Sequence, residues 1–288
     1  MSLMGTTFKA GLVTMTSGSD LDANTVAACR LIREIAAEGA SYVQTPENTG
    51  LMAPDRARLQ ALAEPEDRHR ILAALVSLAK ELRIWLHIGS LAVRRPDGKL
   101  ANRGYLVAPD GQVRARYDKI HMFDVNLPNG ESFRESERFE AGSEAVVADL
   151  PWGRLGITIC YDLRFPQLYR TLAQGGAGIL TVPSAFTQQT GEAHWHTLLR
   201  ARAIETGSFV LAAAQAGRHD SGRMTYGHSL AVSPWGDVIA EGGVEPGVVL
   251  AEIDLAHVAS ARARIPALVH DRPFTIATPS AESLKAAS

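Results

Sequence analysis

The feature that most constrains the fold is an alternation of strand-like and helical segments along most of the chain. Residues 8–14 have the apolar pattern of a strand, and residues 20–38 carry apolar side chains at helical spacing up to Gly39. Strand-like and helical segments alternate again from residue 155 onward. This pattern predicts an α/β protein.

The individual segments follow from two periodicities, which are 2 residues for strands and 3.6 for helices. The predicted strands are residues 8–14, 41–45, 84–93, 104–107, 112–117, 155–160, 178–183, 209–214, 228–232, 238–241 and 248–253. The predicted helices are residues 20–38, 66–82, 166–175, 193–206 and 256–264. Residues 118–143 are polar and show neither period, so we predict a long loop with a functional role there.

A weak internal repeat relates two predicted turns. Residues 107–115 match residues 232–240 at Val, Pro, Gly, Val and Ala. Two interpretations are open: the chain contains two related α/β halves, or the Pro-x-Gly turns are similar only because such turns are common. No change of composition marks a linker between the halves, so we predict a single domain.

The composition excludes several classes of protein. The 288 residues are 46% apolar and 21% charged, with a net charge of -2, and no basic block indicates a nucleic-acid partner. No apolar run approaches the roughly 18 residues that span a membrane. Two cysteines do not form a disulfide framework, so we expect a cytoplasmic protein. We assign residues 4–280 to the domain and expect residues 1–3 to be a cloning remnant before a native start at Met4.

Cys160 ends a predicted strand, residues 155–160. Gly156, Thr158 and Cys160 alternate along it and form a face of small side chains, and ligands of open α/β folds gather beyond the carboxyl ends of strands. Cys160 is therefore either a buried core residue or a nucleophile in a site. Cys29 lies in the apolar stripe of a predicted helix, which predicts a core position.

Two other predicted strands are followed by charged residues. Glu47 comes just after residues 41–45, and Lys119 just after residues 112–117. Taken singly, each is typical of a solvated loop charge. His194 and His196 point to different sides of a helix start and are a poor metal pair, and neither His-Glu-x-x-His nor paired Cys-x-x-Cys occurs, so we predict no metal.

Three segments together resemble the signature segments of the nitrilase superfamily of carbon-nitrogen hydrolases. They are Thr45–Asn48 (TPEN), Tyr117–Asp124 (YDKIHMFD) and Gly156–Pro166 (GITICYDLRFP). The resemblance extends from about residue 8 to 273. It implies a four-layer αββα sandwich in which two stacked sheets have helices outside. It also implies a catalytic triad, which falls on Glu47, Lys119 and Cys160, and a second glutamate, which falls on Glu135.

The chemistry that the resemblance implies is amide hydrolysis without a cofactor. Glu47 would act as general base for Cys160, and the resulting thioester would be hydrolysed to release a carboxylic acid. Lys119 and the backbone N–H of Tyr161 would stabilise the oxyanion. Glu135 would orient Glu47 or Lys119.

The residues after the cysteine indicate a branch of the superfamily. Cys160–Phe165 (CYDLRF) is similar to the Nit-type amidases, and residues 183–186, 191–195, 212–219 and 225–229 are similar to the deaminated glutathione amidase branch. Two alternatives stay open. One is an ω-amidase that acts on α-ketoglutaramate or α-ketosuccinamate, and the other is a catalytically silent binding or scaffold protein.

Several residues are candidates for binding the small-molecule amide substrate, whose carboxylate needs a cation or N–H groups. They are Tyr161, Arg164, Phe186, His194 and Arg218, with His219 and Arg223 in the same loop as Arg218. For Arg164 an alternative is pairing with Asp162 or Glu205, and the loop cations are alternatively solvated. Relatives pair through an outer helical layer and the C-terminal segment, so we expect a homodimer or higher homo-oligomer.

Overall fold

The computed structural model describes residues 6–128 and 130–277, so the expected cloning remnant and residues 278–280 of the assigned domain lie outside the described residues. The α-helices in these ranges are α1 (Leu21–Ala37), α2 (Arg56–Leu62), α3 (Arg70–Leu82), α4 (Pro166–Gln174), α5 (Gln188–Thr206) and α6 (Ala256–Arg264). Short 3₁₀ helices cover Glu66–Arg68, Glu135–Glu137 and Cys160–Arg164.

The strands of the described ranges are mostly short. They are β1 (Thr7–Thr14), β2 (Tyr42–Gln44), β3 (Glu64–Pro65), β4 (Trp85–Arg94), β5 (Leu100–Val107), β6 (Val113–Asp118), β7 (Asp124–Asn126), β8 (Ser132–Arg134), β9 (Val146–Leu150), β10 (Gly153–Ile157), β11 (Ile179–Thr181), β12 (Phe209–Ala212), β13 (Ala216–Arg218), β14 (Met224–Tyr226), β15 (Leu230–Val232), β16 (Val238–Glu241) and β17 (Gly247–Asp254).

Two larger sheets have the same topology. The first has the order β17-β1-β2-β4-β5-β6, with β3 added beside β4, and the second has the order β9-β10-β11-β12-β15-β16. In both sheets, reading in these orders, an antiparallel pair is followed by two parallel and two antiparallel pairs. The repeated Pro-x-Gly turns join β5 to β6 and β15 to β16, which are equivalent positions. The internal repeat therefore corresponds to two halves of like architecture.

The sheets stack face to face with helices outside, which confirms the αββα sandwich. Side chains of alternate β1 residues separate: Ala10 and Leu12 enter the core shared with β10 and β11 of the second sheet, whereas Val13 enters the core beneath α1 and α3. Helices α4 and α5 cover the other face of the second sheet. No helix among the described residues is long and apolar enough to cross a membrane.

Several element boundaries differ from the sequence predictions. Helix α5 begins at Gln188 rather than at residue 193, because the side chain of Thr187 accepts a hydrogen bond from the backbone N–H of Thr190 and caps the helix earlier. The predicted strand at residues 155–160 is wrong at its end, since β10 stops at Ile157. Cys29 is only half-buried on α1, at the edge of the core cluster.

Candidate active site

Four side chains that the sequence singles out meet at one end of the sheets. Glu47 follows β2, Lys119 follows β6, Glu135 starts the 3₁₀ turn after β8, and Cys160 follows β10. The Lys119 ammonium lies 2.8 Å from Oε1 of Glu47 and 2.8 Å from Oε2 of Glu135. The Cys160 thiol interacts electrostatically with both Glu47 and Lys119. The structure thus brings together all four of these predicted residues.

Hydrogen bonds to both its side chain and its backbone hold Glu47 in position. Its Oε2 accepts a hydrogen bond from the backbone N–H of Ala185 at 3.0 Å, and its carbonyl accepts one from Nε2 of Gln215 at 2.9 Å. Gly89 packs directly beneath this segment, where a Cβ would overlap the carbonyls of Thr45 and Pro46. The chain therefore requires glycine at position 89 for Glu47 to reach the site.

Cys160 lies on a sharp turn instead of a strand. Its φ is 50°, which is the left-handed region that non-glycine residues rarely adopt. The Cys160 N–H donates to the carbonyl of Pro183 at 3.0 Å, and the buried Asp162 carboxylate accepts the N–H of Ile159 at 2.8 Å. These bonds hold a strained turn that points the sulfur away from the sheet and into the site.

Asp162 also joins the cysteine turn to the segment that carries Lys119. Its carboxylate accepts hydrogen bonds from the Tyr117 hydroxyl at 2.7 Å and from the His121 backbone N–H at 3.1 Å, and its Oδ1 lies 2.7 Å from Nδ1 of His121. Tyr117 and His121 stand two residues on either side of Lys119. The relative position of Lys119 and Cys160 is therefore fixed by a buried hydrogen-bond network.

Asn102 is a site residue that the sequence analysis missed. Its Nδ2 donates to Oε1 of Glu47 at 3.0 Å and to Oε1 of Glu135 at 3.1 Å. Asn102 lies on β5 and is 1% exposed. In the sequence it is a single polar residue between the predicted strands 84–93 and 104–107, and only its position beside the two glutamates shows its role.

The burial of the site and its charges set the protonation states. Burial raises the pKa of the Cys160 thiol, and the nearby Glu47 carboxylate raises it further, so the thiol is protonated at neutral pH. Burial would raise the pKa of Glu47, but the Lys119 ammonium and the hydrogen bonds from Lys119 and Cys160 hold it below 4.5. Burial opposes the charge on Lys119, yet Glu135 and Glu47 raise its pKa well above 10.5. Cys160 is thus a thiol beside a carboxylate and an ammonium.

These groups lie in a cleft of about 300 Å³. Tyr161, Arg164, Phe186 and Arg223 line it together with the four residues described above. The guanidinium of Arg164 lies 5.9 Å from the centre of the Tyr161 ring and 5.5 Å from that of Phe186. The cleft therefore combines aromatic walls with several cationic groups, since Lys119, Arg134 and Arg138 line it as well as Arg164 and Arg223.

The remaining candidate substrate residues lie outside this lining. His194 is on the exposed face of α5, where its Nδ1 is 3.3 Å from the Arg164 guanidinium. Arg218 is exposed on β13, and Arg223 takes the place in the cleft that the prediction gave to Arg218. The buried ring of His219 instead lies 2.8 Å from the Ser17 carbonyl and 2.7 Å from the Thr225 hydroxyl.

The alternative pairing of Arg164 with Asp162 or Glu205 is wrong. The Asp162 carboxylate accepts its hydrogen bonds from Tyr117 and His121, on either side of Lys119, and from Ile159 in its own turn. Glu205 pairs instead with Arg202, which also donates to the carbonyl of Leu163. Arg164 is left to face the cleft.

Comparisons with known proteins agree with this geometry. The sequence profile of the carbon-nitrogen hydrolase family matches residues 9–263. The chain is 42% identical over 264 residues to a protein of Bos taurus named deaminated glutathione amidase, which covers 90% of this chain and 80% of the relative. It is also 38% identical over 270 residues to a Synechocystis protein of the same name, and this match covers 91% of this chain and 97% of the relative.

Solved structures of similar fold include two from eukaryotes. The NitFhit protein of Caenorhabditis elegans superposes with a TM-score of 0.88 and 38% identity, over 93% of this chain and 66% of that longer chain. Nit3 of Saccharomyces cerevisiae is described as a member of branch 10 of the nitrilase superfamily. It superposes with a TM-score of 0.83 and a sequence identity of 28%, over 92% of this chain and 97% of that chain.

Proposed function

The chain belongs to the carbon-nitrogen hydrolase family and is an amidase; on this premise we propose that it hydrolyses the amide of deaminated glutathione, or a similar α-keto-acid amide, through a thioester on Cys160. The observation that carries the proposal is the Glu47–Lys119 ion pair, which lines the same cleft as the Cys160 thiol and interacts with that thiol electrostatically.

The first step is attack of Cys160 on the amide carbon. The thiol is protonated and Glu47 is a carboxylate at neutral pH, so Glu47 takes the thiol proton as the carbon–sulfur bond forms. General base catalysis of this kind contributes about 10²- to 10⁴-fold. The carbonyl electron pair moves to oxygen, where Lys119 and the backbone N–H of Tyr161 stabilise the negative charge.

The second step releases the amine and regenerates the enzyme. The carbon–nitrogen bond breaks, Glu47 gives its proton to the leaving nitrogen, and the acyl group stays on Cys160. Glu47 then takes a proton from water as the water oxygen attacks the thioester. The carbon–sulfur bond breaks, Glu47 returns the proton to the sulfur of Cys160, and the carboxylic acid leaves. Asn102 and Glu135 keep Glu47 and Lys119 at hydrogen-bond distance throughout.

Two of the four arginines that line the cleft, Arg164 and Arg223, are our candidates for binding the substrate carboxylates. Arg223 donates to the carbonyl of Ala185, lies 5.2 Å from the centre of the Phe133 ring, and has a buried Nε that lacks a hydrogen-bond partner among the described residues. Deaminated glutathione carries one carboxylate at each end, and Arg164 offers a second cation. Replacing Arg223 by Met should raise KM about 10- to 100-fold, the loss of one charged hydrogen bond.

Two substrates measured side by side test the proposal. Deaminated glutathione yields 2-oxoglutarate and the dipeptide Cys-Gly, whereas α-ketoglutaramate yields 2-oxoglutarate and ammonia. We expect kcat/KM, measured by 2-oxoglutarate formation, to favour deaminated glutathione at least about tenfold. Preference for α-ketoglutaramate, with ammonia released, would identify an ω-amidase. No turnover of either substrate above a Cys160→Ala blank would refute both.

The homodimer or higher oligomer stays a prediction. The C-terminal segment of the described chain has exposed apolar side chains at Val269, Phe274 and Ile276, which suit a partner surface. Sedimentation equilibrium of the full chain tests it, and a monomer at micromolar concentration would contradict it.

A further inference from the structure

Two imidazoles and a carboxylate meet on the outer side of the second sheet, away from the cleft lining. His196 lies on α5, His228 precedes β15, and Glu241 ends β16. Nε2 of His196 and Nδ1 of His228 are each 2.8 Å from the same oxygen, Oε1 of Glu241. The three ligand atoms lie within 4.8 Å of one another. No motif in the sequence revealed this group, because its members come from three distant segments.

We propose that His196, His228 and Glu241 bind one divalent transition-metal ion. Metal–nitrogen and metal–oxygen bonds of about 2.0–2.2 Å in a tetrahedral site place neighbouring ligand atoms about 3.4 Å apart. Both nitrogen–oxygen separations are 2.8 Å and all three ligand atoms lie within 4.8 Å of one another, so small side-chain movements are enough to admit an ion. Two imidazoles with one carboxylate favour zinc, cobalt or nickel over magnesium or calcium, which require oxygen ligands.

Neighbouring residues hold His228 in place. His228 has a φ of 55°, and its carbonyl accepts a hydrogen bond from Nε1 of Trp195 at 2.8 Å. The ring of Tyr226 stacks on that of His228 with centres 4.4 Å apart. Supporting contacts of this kind orient metal ligands and raise affinity.

The surrounding charge also favours a cation. Glu192 lies one turn before His196 on α5, and its charge, like that of Glu241, acts on Tyr226. The side chains of His196, His228 and Glu241 are 33%, 25% and 36% exposed, which leaves an open side for a water or another ligand. An ion here would clamp α5 to the β15–β16 edge of the second sheet.

Titration of the chelator-treated protein with Co²⁺ tests the proposal. Because thiolates also bind this ion, the titration uses the Cys160→Ala variant, and the visible spectrum is checked for the absence of a thiolate charge-transfer band. We expect one Co²⁺ per chain and a higher midpoint of thermal unfolding with Co²⁺ or Zn²⁺ but not with Mg²⁺.

Single substitutions then assign the ligands. His228→Ala and Glu241→Gln, each in the Cys160→Ala background, should weaken binding at least about tenfold, since removing even supporting partners of ligands costs 10- to 100-fold. His270→Ala is the matched control, because His270 is exposed, and it should leave binding unchanged. Equal binding by the His228→Ala variant, or no binding by the parent, overturns the proposal; circular dichroism confirms that each variant is folded.

Discussion

The contacts of Glu135 lead to a sharp prediction for the Glu135→Gln variant. Oε1 of Glu135 accepts hydrogen bonds from Lys119 Nζ at 2.9 Å and Asn102 Nδ2 at 3.1 Å, and Oε2 accepts from Lys119 Nζ at 2.8 Å and the backbone N–H of Phe123 at 2.7 Å. Both oxygens therefore face donors only. Whichever way the new amide turns, its NH₂ group meets two donors.

The magnitude follows from the bonds that are lost. One hydrogen bond to the charged Lys119 contributes about 1.5–3 kcal/mol, and a buried donor left unsatisfied, either on Asn102 or on Phe123, costs about 1–3 kcal/mol. The free energy of unfolding should therefore fall by about 3–5 kcal/mol, with Tm about 10 °C lower. Glu47 would then be the only carboxylate paired with Lys119, which makes Glu47 a weaker base.

Two measurements check this prediction. Steady-state kinetics by 2-oxoglutarate formation should show kcat reduced about 10²- to 10³-fold, comparable to the loss of one oxyanion donor. Calorimetry should show the fall in Tm. Glu144→Gln, at an exposed position, is the control and should match the parent in both. A Glu135→Gln variant with the Tm and kcat of the parent would refute the assignment of Glu135 as the group that positions Lys119.

Three further predictions concern the other members of the site. Cys160→Ala should lose all turnover above background yet unfold within a few degrees of the parent, as calorimetry would show; residual activity would remove Cys160 as nucleophile. Because the pKa of Glu47 is lowered, kcat/KM should stay constant as the pH falls to about 4.5 and should decrease at lower pH, and the stability that Glu47 contributes should behave in the same way. A decrease of kcat/KM near pH 6.5 would indicate a histidine base instead. Lys119→Met should leave the buried carboxylate of Glu47 and the partly buried carboxylate of Glu135 without their cation and cost about 3–5 kcal/mol in denaturant unfolding, whereas unchanged stability would contradict these ion pairs.

Periodicity predicted the elements that bury a continuous apolar face. Helix α3 carries Ile71, Leu72, Leu75 and Leu78 at helical spacing, and all four are buried. Helix α2 was missed because it buries Leu59 alone, so that no stripe appears in the sequence. Strand β9 was missed because four of its five residues are apolar without alternating, so that the sequence shows no period of two there.

The site was predictable only in part, for a related reason. Motifs identified Glu47, Lys119 and Cys160 as candidate catalytic residues, but the extended pattern at residues 155–160 placed Cys160 in a strand. Its left-handed backbone depends on contacts with Pro183 and Asp162, which lie on the neighbouring chain segment and in the turn itself. Asn102 escaped notice because a single buried amide acquires a role only when both glutamates stand beside it.

The Asp162 network accounts for how the members of the site are held together. The nucleophile turn, the Lys119 segment and Glu47 come from three strand ends in two different sheets, so nothing local keeps them in register. Asp162 bonds Tyr117 and His121 on one sheet to the Cys160 turn on the other, and Lys119 in turn bonds Glu47. The Tyr117–Asp162 and Lys119–Glu47 contacts are buried and the His121–Asp162 contact is partly buried, and an unpaired polar group in such a place is costly. Displacing any one of the three catalytic candidates would break several such contacts at once, which is the physical reason that they stay together before a substrate arrives.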